Sequence, residues 1–403
     1  MKKRTMKKLM RVAALLLAVC LLAGCSLIEI DESKIIVAKV GEKTITKTEF
    51  DESLKNYLAL YGYTPESSDI QEQLPEMKTS YLEAMVDNLV IDIKAEEMGF
   101  VATQEEIDAA YQEAQDWYDE QFASLVEIYE ADETIEDPEQ HATEIIENHM
   151  TTYGYASLDA MAEETIAAIP GNKLYEDVVK DITVTEEEIQ AEFDANVASD
   201  EETYAEDLAT FVQDYNGGMT LYWRPEGLFF VKHILVALTE EQQDEISTLR
   251  AEGSDEEADS YREEALASLD AKVAEIQEKI NAGEDFQTLI DEYGEDPGMQ
   301  EGATAYEDGY LVYVGSEGLY MDEFARACDN LTKEGDISEP VATDYGYHII
   351  RRCADLPSGA IELSEVHDLL NAKLLSSKQS EAYDEALQSW KEEMTIELFE
   401  SRL

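Results

Sequence analysis

Apolar positions along this chain recur at two different spacings, and the change of spacing divides it. Ile35-Ile36-Val37-Ala38-Lys39-Val40 reads as a strand and Gly41-Glu42 as the turn that follows it. From there to about residue 218 the period is helical. Leu82, Met85, Val86, Leu89 and Ile93 fall on one face, and Gly99 is placed to stop that helix. Three helix starts share one grammar: Thr46-x-x-Glu49, Thr103-x-x-Glu106 and Thr185-x-x-Glu188. In each, the Thr hydroxyl and the Glu carboxylate satisfy backbone N–H groups that a first turn leaves unpaired. The stripe is ordinary core, and the pattern predicts a helical bundle.

Residues 226–357 change character. Gly227 to Val236 (GLFFVKHILV) is a β-rich run, followed by acidic helical sequence to Ala282 and then by turn-rich sequence. Ile337 to Val341 and Tyr347 to Arg351 are two short strand candidates, split by Thr343-Asp344-Tyr345-Gly346. A strand, then helices, then paired strands predicts an α+β domain. Helical spacing returns over residues 361–390, through Leu363, Val366, Leu370, Leu374, Tyr383, Ala386, Leu387 and Trp390.

The N-terminus bears on the compartment. Lys2, Lys3, Arg4, Lys7, Lys8 and Arg11 precede an apolar run from Val12 to Leu22. That run is shorter than the about 20 residues a spanning helix needs, and it has the layout of a secretory signal. It ends in Leu22-Ala23-Gly24-Cys25, which resembles a bacterial lipobox, so residues 1–24 are expected to be removed and Cys25 acylated. Two acyl chains on Cys25 would tie the protein to a membrane surface without spanning it. The 403-residue chain has a formal charge of −63, and loss of residues 1–24 takes it to about −69. A nucleic-acid partner is excluded on that charge, because affinity for phosphate is carried by Lys and Arg. The acidity itself reads as a device for solubility. Of four cysteines, Cys20 lies in the signal and Cys25 is the anchor. Cys328 and Cys353 remain, paired or free.

Two resemblances add function. The segments "IIVAKVGEKTITKTEFDESL" and "MVDNLVIDIKAEEMGFVATQEEIDAAYQEA" resemble the N-terminal domain of extracytoplasmic foldases of the SurA and PrsA type. Such domains hold unfolded clients. Three later pieces resemble, in order, the parvulin-type (PpiC) peptidyl-prolyl isomerase domain. They are Lys232-His233-Ile234-Leu235-Val236, then "INAGEDFQTLIDEYGEDPG", then "MDEFARACDNLTKEGDISEPVATDYGYHII". The expected architecture is a signal peptide (1–24), an N-terminal helical chaperone domain (25–225), an inserted parvulin-type domain with a small antiparallel sheet among helices (226–357), and a C-terminal helix (358–403) packing back on the body.

An X-Pro bond rotates over a barrier of about 18–20 kcal/mol, because resonance makes C–N partly double. Its catalysis needs a pocket for the proline ring and surroundings that favour the twisted amide. By the resemblance, His233 and His348 are the paired histidines beneath the site, either catalytic or core histidines that fix strand geometry. Asp296 takes the position facing the substrate carbonyl, Thr343 supplies the hydroxyl of the histidine network, and Phe324 is the aromatic wall of the proline pocket. Tyr320 stands where the family usually has a methionine, with Met321 beside it. The segment Ala305 to Tyr313 replaces the usual Gly-Gly-Asp-Leu-Gly, and residues 238–270 lengthen the stretch after "HILV".

The chain is therefore expected to isomerise X-Pro bonds in exported proteins while holding them unfolded. A holdase with a degenerate parvulin module is the alternative, and an acidic ligand-binding surface lipoprotein the remoter one. No cofactor or metal is expected: amide rotation needs neither, and His141, His149 and His367 read as surface residues on helices. The expected partners are unfolded exported polypeptides and, through Cys25, a membrane. Resemblance to PrsA-type foldases favours the outer leaflet of a Gram-positive cell. A homodimer is left open.

Overall fold

The computed structural model describes residues 34–132 and 134–403. Cys25 and the expected signal lie outside the described residues. The elements begin with β1 (Ile36–Val40), β2 (Lys43–Thr46), α1 (Lys47–Leu60), α2 (Leu74–Met98), α3 (Gln104–Glu130), α4 (Pro138–Thr152) and α5 (Leu158–Val179). Next come α6 (Glu186–Tyr204), α7 (Leu208–Asn216), β3 (Trp223–Arg224), β4 (Leu228–Ala237), α8 (Glu240–Ala251), α9 (Asp255–Leu266), α10 (Asp270–Ala282) and α11 (Phe286–Tyr293). The chain closes with α12 (Thr304–Glu307), β5 (Tyr310–Tyr313), α13 (Asp322–Asp329), β6 (Val341–Thr343), β7 (Gly346–Asp355), β8 (Gly359–Ala360), α14 (Leu363–Glu393) and β9 (Ile396–Leu398).

Two compact units result: residues up to Thr183 together with Leu375–Leu403, and Val184–Leu374. Segments 184–225 and 358–374 thus belong to the unit that carries the larger sheet, and the division falls inside α14.

The first unit is built on a small sheet ordered β2-β1-β9. Thr46 and Thr103 form the capping boxes that open α1 and α3, and Gly99 closes α2 in the left-handed conformation with φ of 79°. Phe50, Leu54 and Leu58 of α1 meet Leu82, Val86 and Val90 of α2 over Val37 and Val40 of β1. Leu387 and Trp390 from α14 pack on this same core, and β9 pairs with β1, so the C-terminus completes it. Beyond it, α3 packs against both α4 and α5.

The second unit holds an antiparallel sheet ordered β5-β4-β7-β6. Alternation along β4 assigns its two faces. Ile234 and Val236 point into a core with Val273 and Ile276 of α10 and Phe286, Leu289 and Ile290 of α11. Phe229 and Val231 point the other way, into a core with Phe324 and Cys328 of α13 and with Ile350 of β7. His233 follows Val231 on that second face, and His348 precedes Ile350 there. The antiparallel register sets His233 opposite Ile350 and Leu235 opposite His348, so the two histidines are diagonal neighbours.

The expected strand over Ile337 to Val341 starts later, as β6 from Val341. Pro340 has no N–H to donate, so the pairing with β7 is interrupted there, although the Ser338 N–H still reaches Ile350 O at 2.8 Å. Ile337 makes an isolated bridge to Arg351 instead. Cys328 and Cys353 are both free thiols, and burial pushes the Cys328 thiol up to about 12.

Phe50 is wholly buried where α1, α2 and β1 meet. Phe50→Ala should therefore destabilise the first unit by about 3–5 kcal/mol, read as a lower urea midpoint. A change under about 1 kcal/mol would mean the site collapses around the cavity or is not core.

Candidate active site

The site lies on one face of the larger sheet. β4 contributes His233 and Leu235, β7 contributes His348, and the β6–β7 turn contributes Thr343 and Tyr345. Facing them are Asp296 and Pro297 from the turn after α11, Tyr310 at the start of β5, and Tyr320, Met321 and Phe324 around the start of α13. Together with Ala237, Glu240, Gln243 and Glu295 these residues, apart from Thr343 behind His348, line a cavity of about 580 Å³.

Hydrogen bonds run through it in one chain. Thr343 Oγ1 lies 2.9 Å from His348 Nε2, His348 Nδ1 lies 2.9 Å from His233 Nδ1, and His233 Nε2 lies 2.5 Å from Asp296 Oδ2. The imidazoles stack at 5.0 Å between centroids, and Phe324 stands edge-on to both, at 5.3 and 5.4 Å. Asp296 is further held by the Tyr310 hydroxyl (2.9 Å) and by the Gly298 N–H (2.9 Å). Thr343 Oγ1 accepts the Tyr345 N–H at 3.1 Å.

These contacts fix charge. Burial works to raise the Asp296 carboxyl, but the His233 ring, the Gly298 amide and the Tyr310 hydroxyl outweigh it and hold the group at about 2. Burial, aided by the His233 ring, drives His348 down to about 3. At neutral pH Asp296 is thus a carboxylate and His348 a neutral imidazole. A carboxylate only accepts, so His233 Nε2 carries a proton. The two facing Nδ1 atoms share one more. With that proton on His348, the Thr343 hydroxyl donates to His348 Nε2 and every link points toward Asp296.

Local sequence explains the placement. Asp296-Pro297-Gly298 is a tight turn in which Asp296 caps its own backbone at Gly298, and a Cβ on Gly298 would come within 1.9 Å of the Tyr310 hydroxyl. Gly346 has φ of 145°, and a Cβ there would sit 2.2 Å from Val236 O. Only glycine lets the β6–β7 turn close against β4 and bring Thr343 onto His348.

All seven candidates from the sequence, namely His233, Asp296, Thr343, His348, Tyr320, Met321 and Phe324, border this one space or its hydrogen-bond chain. Tyr320 turns its hydroxyl away, donating to Leu311 O at 2.7 Å, so its ring presents an apolar edge beside Phe324. Tyr310 escaped sequence reasoning: it lies in the segment that departs from the family pattern, and nothing there announces a carboxylate partner. Leu235 and Tyr345 were likewise not singled out, although strand alternation from His233 marks Leu235.

The Rotamase family model, described as a PPIC-type PPIASE domain, matches residues 233–354, and a SurA-like N-terminal domain model matches residues 1–125. The chain is a PrsA- and SurA-like protein carrying a PPIC-type peptidyl-prolyl isomerase domain. It is 23% identical to the foldase protein PrsA of Clostridium botulinum strain Hall, over 99% of both chains. With the PrsA of Clostridium acetobutylicum the identity is 21%, over 94% of this chain and 93% of that one. A solved SurA-like chaperone from Campylobacter jejuni aligns at 19% identity over 90% of this chain and 100% of its own, with a TM-score of 0.29. The PPIC-type match opens at His233 itself and spans every site residue named above; the SurA-like match covers β1 to α2 and most of α3.

Removing one donor from Asp296 favours its protonated form, so Tyr310→Phe should lift that carboxyl above about 2 in a ¹³C titration. The folded-state value lies below the ordinary 3.8, so the stability Asp296 contributes is complete above about pH 4 and is lost as pH falls toward 2. In Tyr310→Phe the loss should start at the same pH, be smaller, and end at higher pH. An unchanged carboxyl titration would remove Tyr310 from the account.

Proposed function

We propose that this protein acts outside the cytoplasm as a foldase, holding exported chains and isomerising their X-Pro bonds at the His233–Asp296–Thr343–His348 site. The observation that carries this reading is a carboxyl group held by three partners, His233, Gly298 and Tyr310, beside an apolar pocket in one cavity. Phe324, Met321, Leu235 and the ring of Tyr320 receive the proline ring. Asp296 faces the carbonyl of the preceding residue. In a planar amide that oxygen carries the negative end of the resonance form, and the twisted amide loses it. A fixed anion nearby therefore destabilises the planar state more than the twisted one, which lowers the rotational barrier without any bond breaking. His233 holds Asp296 in place, while His348 and Thr343 hold His233. No proton leaves the chain during rotation.

The SurA-like domain supplies the holding function, and acylated Cys25 supplies attachment to the outer face of a cell membrane. Among the described residues no helix is long and apolar enough to cross a membrane.

NMR exchange on X-Pro peptides with the full chain tests catalysis. Wild type should accelerate exchange. Asp296→Asn, which keeps shape and removes charge, and Phe324→Ala, which opens the pocket, should each slow it by about 10²-fold. A folded wild-type chain that leaves exchange at the uncatalysed rate would instead favour a holdase with a parvulin-shaped binding module. For attachment, Cys25→Ser should abolish incorporation of labelled fatty acid and release the protein from membranes. Retained label would place the anchor elsewhere.

A further inference from the structure

The stretch that lengthens the chain after "HILV" folds into α8 and α9, and each helix sends one arginine toward the site. Arg250 of α8 grips Asp344 with two donors, Nε to Oδ2 at 2.9 Å and Nη2 to Oδ1 at 3.0 Å. Arg262 of α9 reaches the same carboxylate from Nη1 at 3.0 Å and also Glu323 at 3.2 Å. Asp259 of α9 completes the cluster, 2.7 Å from Arg250 Nη2 and 3.3 Å from Arg262 Nη2. Asp255 stands at 3.4 Å from Arg250 Nη1. The helices are themselves seated on the sheet: Leu238, Ile246, Ala265 and Leu266 pack with Ala342 and Tyr347 of the two strands flanking the turn.

The two acceptors occupy telling positions. Asp344 lies between Thr343, whose hydroxyl meets His348, and Tyr345, whose N–H donates to that hydroxyl and whose ring lines the cavity. Glu323 immediately precedes Phe324, the wall that stands edge-on to both imidazoles. We propose that Arg250 and Arg262 are positioning residues which clamp the Thr343 turn and the Phe324 wall in register across the cavity. This rests on the isomerase reading given above. An exposed ion pair contributes little, but a forked guanidinium–carboxylate contact specifies direction as well as distance. Asp344 is two-thirds or more shielded, and its carboxyl is held below the usual range by the Arg250 hydrogen bonds. The clamp has two outputs. Arg250 acts on Asp344 alone among site-flanking residues, hence on the hydrogen-bond chain. Arg262 acts on both Asp344 and Glu323, hence on the pocket as well.

The test is kinetic and spectroscopic on the full chain. Arg250→Gln should lower kcat about tenfold at nearly constant KM, since a small misplacement of a polar group costs rate more than affinity. Glu323→Gln should raise KM about threefold at nearly constant kcat. Arg250→Lys keeps the charge without the fork and should recover only part of the loss. The ¹⁵N imidazole resonances of His348 should move in Arg250→Gln and return toward wild type in the swapped pair Arg250→Asp with Asp344→Arg. Variants that lower Tm yet keep kcat, KM and the His348 resonances at wild-type values would overturn the clamp and leave only a brace. An inactive wild type would strike the isomerase reading alone, because X-Pro peptide affinity and the His348 spectrum still decide the clamp.

Discussion

The contact between two imidazole nitrogens inside the larger sheet is the constraint from which the site follows. Two facing Nδ1 atoms at 2.9 Å are tolerable only if one proton lies between them. Each outer nitrogen must then find a partner of the right kind, or a buried polar atom is left unpaired at a cost of about 1–3 kcal/mol. Asp296 and Thr343 are those partners. Because His348 is buried deeply enough to stay neutral, the arrangement admits few protonation patterns, and all that keep Asp296 ionised place a proton on His233 Nε2.

That requirement reaches outward into the fold. Strand register must put His233 and His348 on one face, and it does so because β4 and β7 are ten-residue antiparallel partners. The turn that carries Thr343 must close on β4, and Gly346 permits the approach. The Asp-Pro-Gly turn must aim a carboxylate inward, and the missing side chain of Gly298 leaves room for Tyr310 to steady it. Phe324 stands edge-on to both buried rings, and their burial strengthens each electrostatic contact they make. Packing and polarity are thus satisfied by the same few residues.

The acidity of the chain is used unevenly. Most carboxylates face solvent, but several are spent locally on helix starts, as with Glu49, Glu106 and Glu188 in their capping boxes. Asp344, Asp259 and Glu323 instead gather two of the chain's scarce arginines beside the site. In a protein of such negative charge, a buried or half-buried guanidinium has many possible partners, and its choice is informative.

Much of this was legible in the sequence. Thr-x-x-Glu spacing located three helix starts, because capping is a local reaction between a side chain and the first turn. Alternation through "HILV" and the left-handed demand at Gly99 are local in the same sense. His233, Asp296 and His348 were recognisable as a set through their motifs. What the sequence left undecided depends on residues far apart in the chain. That Tyr310 donates to Asp296 and that Tyr320 spends its hydroxyl on Leu311 O follow from how β5 lies beside β4. That Arg250 grips Asp344, ninety-four positions later, follows from how α8 and α9 rest on the sheet. Even β6 begins later than the strand candidate at Ile337 to Val341, because Pro340 interrupts the ladder. Residue type and spacing determined which groups could meet; only the folded register decided which of them share a proton or a charge, since a hydrogen bond requires a distance that no linear spacing contains.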